Sequence, residues 1–425
     1  MKLKRLWLIL LTIFVVTGLV NSSDAEVKLG GELRVRGIMV DNSDTTTAGA
    51  KTDGGYFEQR TRLNADASVD ENAKVVIQIQ DSRKWGEKTA AVGTETSNTQ
   101  ITGRDLEALD LSQGYIEIGK LFDQPLSVRL GRQAMAYGEH RLIGSLEWSN
   151  NARRFDALKF MYKHDVVDID VWTAKIVENG GEDWGNDDNL NGVYATLKNI
   201  PKNAVDVYLL QKVAGATNLN FYTIGARVKG AVENVNVDYN AEAAIQSGDF
   251  DTNSSQSASA YAIRAGYTLP DMKGLRVGVE YDAATGNKAG VTPSTSSADN
   301  KAFDNLYPTN HYLYGYTDDV NWTNLNAWSF NVSLKPMGKV NLAVEYWNYK
   351  TDQENSAGKD DNGTEINGKL NYELSKNITC EAAYALRDAG DSTGPAKAYD
   401  SSTFGNIPAD KSASFGYFLI NVKFN

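Results

Sequence analysis

Apolar and polar residues alternate with a period of two from residue 29 to the last strand of this chain, and no other feature constrains the fold as tightly. In the first such segment Leu29, Gly31, Leu33, Val35 and Met39 share one face, with Glu32, Arg34 and Arg36 on the other. The pattern returns at 261–269, where Arg264 and Thr268 oppose the apolar row, and at 275–281, opposed by Arg276, Glu280 and Asp282. It recurs at 366–374 and 378–386. A final strand sets Gly416, Phe418, Ile420, Val422 and Phe424 against Tyr417, Asn421 and Lys423. Strands with one apolar face read this way, and long helical periodicities are absent.

Such strands build either a soluble sandwich, whose apolar faces point inward, or a membrane barrel, whose apolar faces meet lipid. Connection lengths separate the two. Tight turns fall at 70–72, 163–165, 201–203, 270–271, 336–338 and 375–377. Longer polar loops lie near 41–55, 86–108, 135–154, 176–189, 247–256, 284–325, 351–363 and 388–411. Short alternating with long is the asymmetry of outer-membrane barrels. The expected fold class is therefore all-β: a transmembrane antiparallel β-barrel of about eighteen strands, each near the ~9–11 residues that cross obliquely. An even count puts both ends on the periplasmic side. Closure leaves no unpaired edge in lipid. Tyr162, Tyr267, Tyr281, Tyr346, Tyr372, Tyr384 and Phe424 fall on the lipid face, many near strand ends, where aromatic rings suit the headgroup level.

The N-terminus supplies the address. Lys2, Lys4 and Arg5 precede an almost wholly apolar stretch from Leu6 to Val20, and Ser23-Asp24-Ala25 offers small residues for cleavage. That is the layout of a secretory signal peptide over residues 1–25, leaving 26–425 as one barrel domain in the bacterial outer membrane. The apolar stretch is shorter than the ~20 residues of a spanning helix. The formal charge is −11, and losing Lys2, Lys4, Arg5 and Asp24 makes it more negative. An acidic chain without a basic stripe is a poor partner for nucleic acid. Cys380 is the single cysteine, so no intrachain disulfide forms. His140, His164 and His311 are too scattered for a zinc site, and no cofactor is expected. The expected partners are outer-membrane lipid and lipopolysaccharide around the wall and a solute within it.

The polar faces carry the chemistry. Arg34, Arg36, Arg60, Arg62, Lys84, Arg129 and Lys159 occupy the lumen face of roughly the first third of the wall, with Arg83 and Arg132 close by at strand ends. Asp168, Asp170, Asp206, Asp238, Glu242 and Glu280 follow on later strands, interleaved with Arg227, Arg264 and Arg276. Such charges either set a transverse field that guides a solute or pair into a ladder that stiffens the wall. Arginine suits carboxylated or phosphorylated solutes, because its planar fork binds two oxygens at once. The densest stretch is 126–162. There a strand ending in Leu130-Gly131-Arg132-Gln133 leads into a loop holding Glu139, Arg141, Glu147, Arg153, Arg154 and Asp156. Gly138 and Gly144 permit sharp turning, and Tyr137 and Trp148 are suited to pin the loop against the wall. The loop is expected to enter the lumen in part and narrow it; an ordered external loop with surface ion pairs is the alternative.

These residues carry a resemblance. GRQAMAYGEHRLIGSLEWSNNARRFDALKF, preceded by YFEQRTRLNADASV and VVIQIQDSRKWGE, resembles the alginate-export family of outer-membrane porins, strongly over residues 56–163 and only in strand periodicity beyond. The resemblance implies a monomeric eighteen-stranded barrel with an arginine-rich constriction that passes an anionic uronate polymer. By position it carries over Arg60, Arg62, Arg83, Arg129, Arg132, Arg141, Arg153 and Arg154. Two departures stand against alginate itself: the lumen acids of the later strands, and external acids at Asp183, Asp187, Asp188, Asp318, Asp319, Asp360 and Asp361.

Three functions compete. The first is a channel passing anionic saccharides or small anionic solutes; its sharper form, polysaccharide export, requires periplasmic partners. A general diffusion porin is its alternative. The second is a barrel enzyme, for which His140, Ser145 and Glu147 supply side-chain types but no motif surrounds the serine. The third is an adhesive or structural barrel. Loop 284–325, with Phe303, Tyr307, His311, Tyr312, Tyr314, Tyr316 and Trp322, most simply packs over the mouth or against lipopolysaccharide. The spacing of Asp183, Asp187 and Asp188 matches no calcium loop.

Overall fold

A computed structural model describes residues 26–41, 54–86, 109–179, 186–232, 234–296, 298–392 and 411–425. The leader at 1–25, Asp183 and most of the loops near 41–55, 86–108 and 388–411 lie outside the described residues. The first six strands are β1 (Glu26–Asp41), β2 (Gly54–Ser68), β3 (Ala73–Lys84), β4 (Asp110–Ile118), β5 (Leu126–Gln133) and β6 (Phe155–Lys163). There follow β7 (Val167–Val177), β8 (Asp188–Ile200), β9 (Asn203–Ala214), β10 (Leu219–Val232), β11 (Val237–Asp249) and β12 (Ser255–Leu269). The last six are β13 (Leu275–Ala284), β14 (Leu325–Met337), β15 (Val340–Lys350), β16 (Asp361–Ser375), β17 (Ile378–Asp388) and β18 (Ser412–Phe424).

Every strand pairs antiparallel with its sequence neighbours, and β1 pairs with β18 from Gly31↔Phe424 to Asp41↔Ser414. That last ladder closes an 18-stranded barrel and removes the edges that lipid could not satisfy. Among the described residues no helix is long and apolar enough to cross a membrane, so the strands make the crossing. Alternation is obeyed with the usual order inverted. Leu33 is 40% exposed on the outside, while its neighbour Arg34 is 4% exposed within. Ile224, Ile263, Phe330, Val344 and Ile420 line the same outward band, which only a bilayer can cover.

The tight turns have local causes. After β2 the Asp70 carboxylate accepts from the backbone of Asn72 and Ala73 at 2.7 and 2.8 Å, an Asx turn that reverses the chain. Two further short turns, at 119–125 and 234–236, belong to the periplasmic set and were not marked by the alternation. One outer connection is also short. Between β9 and β10 a single 3-10 turn at Gly215–Thr217 ends on Asn218 with φ 58°, a left-handed position that asparagine tolerates.

Candidate pore constriction

Two outer connections fold into the barrel. The link between β5 and β6, residues 134–154, and the link between β13 and β14, residues 285–324, meet there as a short parallel bridge, Ile143↔Tyr307. Gly144 donates to the Tyr307 carbonyl and Tyr307 to the Leu142 carbonyl, both at 2.8 Å, and Thr309 donates to the His140 carbonyl at 2.9 Å. Glycine is needed at 144 because a Cβ there would lie 2.3 Å from the Thr309 hydroxyl. Gly138 makes its turn at φ +60°. Neither loop could leave its polar backbone unpaired inside the barrel, and pairing with each other is part of the solution.

The arginines of β1 and β2 supply the rest. The register sets Arg34 opposite Arg60, Glu32 opposite Arg62 and Arg36 opposite Glu58. Arg34 donates to the carbonyls of Glu147 at 2.7 Å and Ser149 at 3.1 Å, and Arg60 reaches the same two at 3.0 and 3.1 Å. Arg36 bonds the Trp148 carbonyl at 2.9 Å and pairs with Glu58. Three wall guanidinium groups thus grip consecutive carbonyls of one loop segment. The Glu147 side chain turns the other way. Its carboxylate meets Arg62 at 2.7 Å, Arg154 at 2.9 Å and Arg60 at 3.5 Å. Burial pushes this carboxyl up, but the charges of Arg154, Arg62 and Arg60 outweigh burial and hold it down at about 2.

Aromatic contacts pin both flanks. Tyr137 stacks on Trp172 of β7 at 4.8 Å and on Tyr194 of β8 at 4.6 Å, and its hydroxyl donates to Asp170 at 2.9 Å. Trp148 lies between the Arg36 guanidinium, 3.8 Å above its ring, and His311, stacked at 3.7 Å. The expectation that Tyr137 and Trp148 hold an infolded loop matches this geometry. The second loop is fixed by its own ties: Trp322 donates to the Ala283 carbonyl at 3.1 Å, Tyr316 N–H to Glu365 at 2.6 Å, and Arg387 pairs with Asp319 at 3.0 Å.

Elsewhere the lumen charges pair locally. Arg129 bonds Glu117 at 2.7 Å, Lys159 meets Asp170 at 3.5 Å, Arg227 meets Asp206 at 2.7 Å, and Arg276 meets Asp238 at 2.7 Å. Arg264 pairs with Glu139 of the loop. Several acids of the later strands are therefore answered by neighbouring arginines and lysines, while Glu242 accepts from the Tyr208 hydroxyl. A surplus of positive charge remains around β1 and β2, where, among the described residues, Arg34, Arg36, Arg60, Arg62 and Arg154 share ion pairs with Glu32, Glu58 and Glu147, and Asp318 lies near Arg36.

The ten arginines expected to line the pore do not all do so. Arg34, Arg36, Arg60, Arg62 and Arg129 face the lumen, and Arg154 joins them from the loop's end. Arg141 and Arg153 are enclosed between the two loops rather than placed on the lumen wall, at 2% and 1% exposure. Arg141 pairs with Glu280 and Asp282, and Arg153 donates to the carbonyls of Pro308 and Gly144. Arg83 and Arg132 are corrections. Arg83 stands one residue from inward Ser82, and Arg132 three residues from inward Arg129, so period-two geometry turns both outward. There they pair with Asp81 and with Asp156, the latter at 2.8 Å. Replacing Arg83 or Arg132 by Ala is expected to leave single-channel ion selectivity unchanged; a shift in reversal potential would place them at the filter after all.

Glu147, which by residue type could serve as the acid of a triad with His140 and Ser145, is taken up by the arginines instead. Sequence reasoning missed the inward course of loop 285–324. The readable signal was the pair Glu280 and Asp282, two acids on one lumen face at the start of that loop.

A closed antiparallel barrel with an apolar outer band and a loop-narrowed polar lumen is a porin-type protein of the bacterial outer membrane. The chain belongs to the Alginate export family, whose pattern it matches over residues 25–397. Among curated protein sequences none matches it. Solved structures share the fold at low identity. OccAB1 of Acinetobacter baumannii is 12% identical, with a TM-score of 0.63 over 94% of this chain and 97% of that one. OpdK of Pseudomonas aeruginosa, solved with vanillate, is 9% identical, with a TM-score of 0.62 over 94% and 98%. A BenF-like porin from Pseudomonas fluorescens Pf-5 is 11% identical, with a TM-score of 0.60 over 94% and 98%.

Proposed function

We propose that this protein is a passive channel for anionic saccharides or other small carboxylated solutes, acting as a single barrel after loss of residues 1–25. The observation that carries the reading is the arginine-rich cluster on β1 and β2, which takes the side-chain carboxylate of the loop residue Glu147 among its ligands. Guanidinium forks bind carboxylates in two places, and a narrowed lumen of low dielectric strengthens that preference. Family membership supports an anionic saccharide, and vanillate, present in the OpdK structure, is also a carboxylate. Polysaccharide export, with periplasmic partners, is the sharper form of the same reading.

A general diffusion porin is the second reading, favoured by the local pairing of Arg227 with Asp206 and Arg276 with Asp238. Uptake of radiolabelled galacturonate and galactose into proteoliposomes separates them, since the two solutes differ little in size. A galacturonate rate several-fold above that of galactose is expected. Equal rates would leave only the general porin.

A further inference from the structure

The arginine cluster already holds a carboxylate, and that carboxylate belongs to the chain. Glu147 Oε2 lies 2.7 Å from Arg62 Nη1 and 3.5 Å from Arg60 Nη2, and Oε1 lies 2.9 Å from Arg154 Nη1. The side chain is nevertheless 45% exposed, while the arginines it meets are 4–7% exposed. Its backbone is clamped separately. Arg34 and Arg60 hold the Glu147 carbonyl from the wall, so the side chain can turn away without the loop undocking. Leu146, just before it, sits at φ +50°, a left-handed conformation that a leucine adopts only at a cost. The cluster also has unused valence: Arg62 Nη2 and Arg154 Nε are buried with no acceptor among the described residues. A ligand with more oxygens than one carboxylate would satisfy them.

We infer that Glu147 is a built-in surrogate for the substrate, an internal carboxylate that occupies the arginine filter at rest and is displaced by the carboxylate of a passing solute. This rests on the anion-channel reading and adds a gate to it. A tethered side chain competes at an effective concentration of about millimolar or higher. A single carboxylate in solution therefore displaces it poorly, whereas a polyuronate, which rebinds from neighbouring residues, displaces it well. The device favours polymeric or oligomeric carboxylates over simple anions such as chloride or acetate.

The test is block of single-channel current by galacturonate and by tri-galacturonate in the full-length protein and in Glu147→Gln, with heat-shifted gel mobility to verify the folded barrel. The variant is expected to lower the half-blocking concentration of galacturonate about tenfold and to narrow the advantage of the trimer. Glu147→Ala is read in the same way should the glutamine variant fail to fold. Neutralising a lumen acid outside the cluster, Glu117→Gln, reports the effect of charge alone and is expected to give a smaller shift. An equal shift in Glu117→Gln, or none in Glu147→Gln while the natural channel still prefers anions, overturns the surrogate and leaves the channel reading intact. Absence of both anion preference and block in natural and variant channels removes the two together.

Discussion

Removing residues 137–151 is expected to raise single-channel conductance by about two-fold or more, because a barrel of this strand number leaves an aqueous channel unless something fills it. The filling is this loop and what it holds in place. Its deletion takes away Trp148, on which His311 stacks, and the Ile143↔Tyr307 bridge that positions the second loop. The wall survives the cut, since Gln133 and Phe155 are ladder partners and the remaining residues span that hairpin easily. Arg34, Arg36 and Arg60 lose their carbonyl acceptors and turn to water in a widened lumen. Anion preference should persist or rise while block by uronates weakens, because the cations stay but no longer converge. Unchanged conductance in a folded, heat-modifiable barrel would place the loop outside the conduction path.

Arg141→Ala should have the largest effect of any single substitution on the loop pair. Its guanidinium serves Glu280 and Asp282 at once and donates to the Tyr314 hydroxyl at 2.7 Å. Asp282 is 0% exposed, so truncation strands that carboxylate in a place water reaches poorly and leaves Glu280 only its longer contact with Arg264, at 3.7 Å. Breaking a buried ion pair by removing one partner costs about 3–5 kcal/mol, more than most other contacts of the loops can offset. The expected outcome is undocking: a noisy, larger conductance and new protease sensitivity between residues 134 and 154, with the barrel's own heat-shifted mobility retained. Combining Arg141→Ala with Glu280→Gln and Asp282→Asn should restore much of the docking, because the penalty comes from unpaired charge. A triple variant as noisy as the single one would show that Arg141 acts through packing over Tyr314 and Trp322 rather than through charge.

The barrel was legible because membrane strands encode their facing locally. Leu33 outside and Arg34 inside follow from adjacent positions, and strand count follows from turns such as Asp70 to Ala73. The inward loop was legible for a different reason: Tyr137, Gly138, Gly144 and Trp148 in a charged segment have little purpose on an exposed loop. What stayed hidden depended on contacts distant in sequence. Arg141 finds Glu280 across 139 positions and Arg34 finds Ser149 across 115, separations that no local pattern reports. Arg83 and Arg132 failed for a local reason instead. Each lies an odd number of residues from an inward neighbour, and a charge near a strand end reads as lumen unless that parity is applied.

The central claim, an anion-preferring channel narrowed by an arginine-held loop, is tested most directly by the reversal potential of single channels in a potassium chloride gradient, with and without polyuronate. A reversal potential on the chloride side, together with block by micromolar to millimolar polyuronate, is the predicted result. Cation preference without block would mean that the paired acids of the later strands govern the lumen, and would contradict the account.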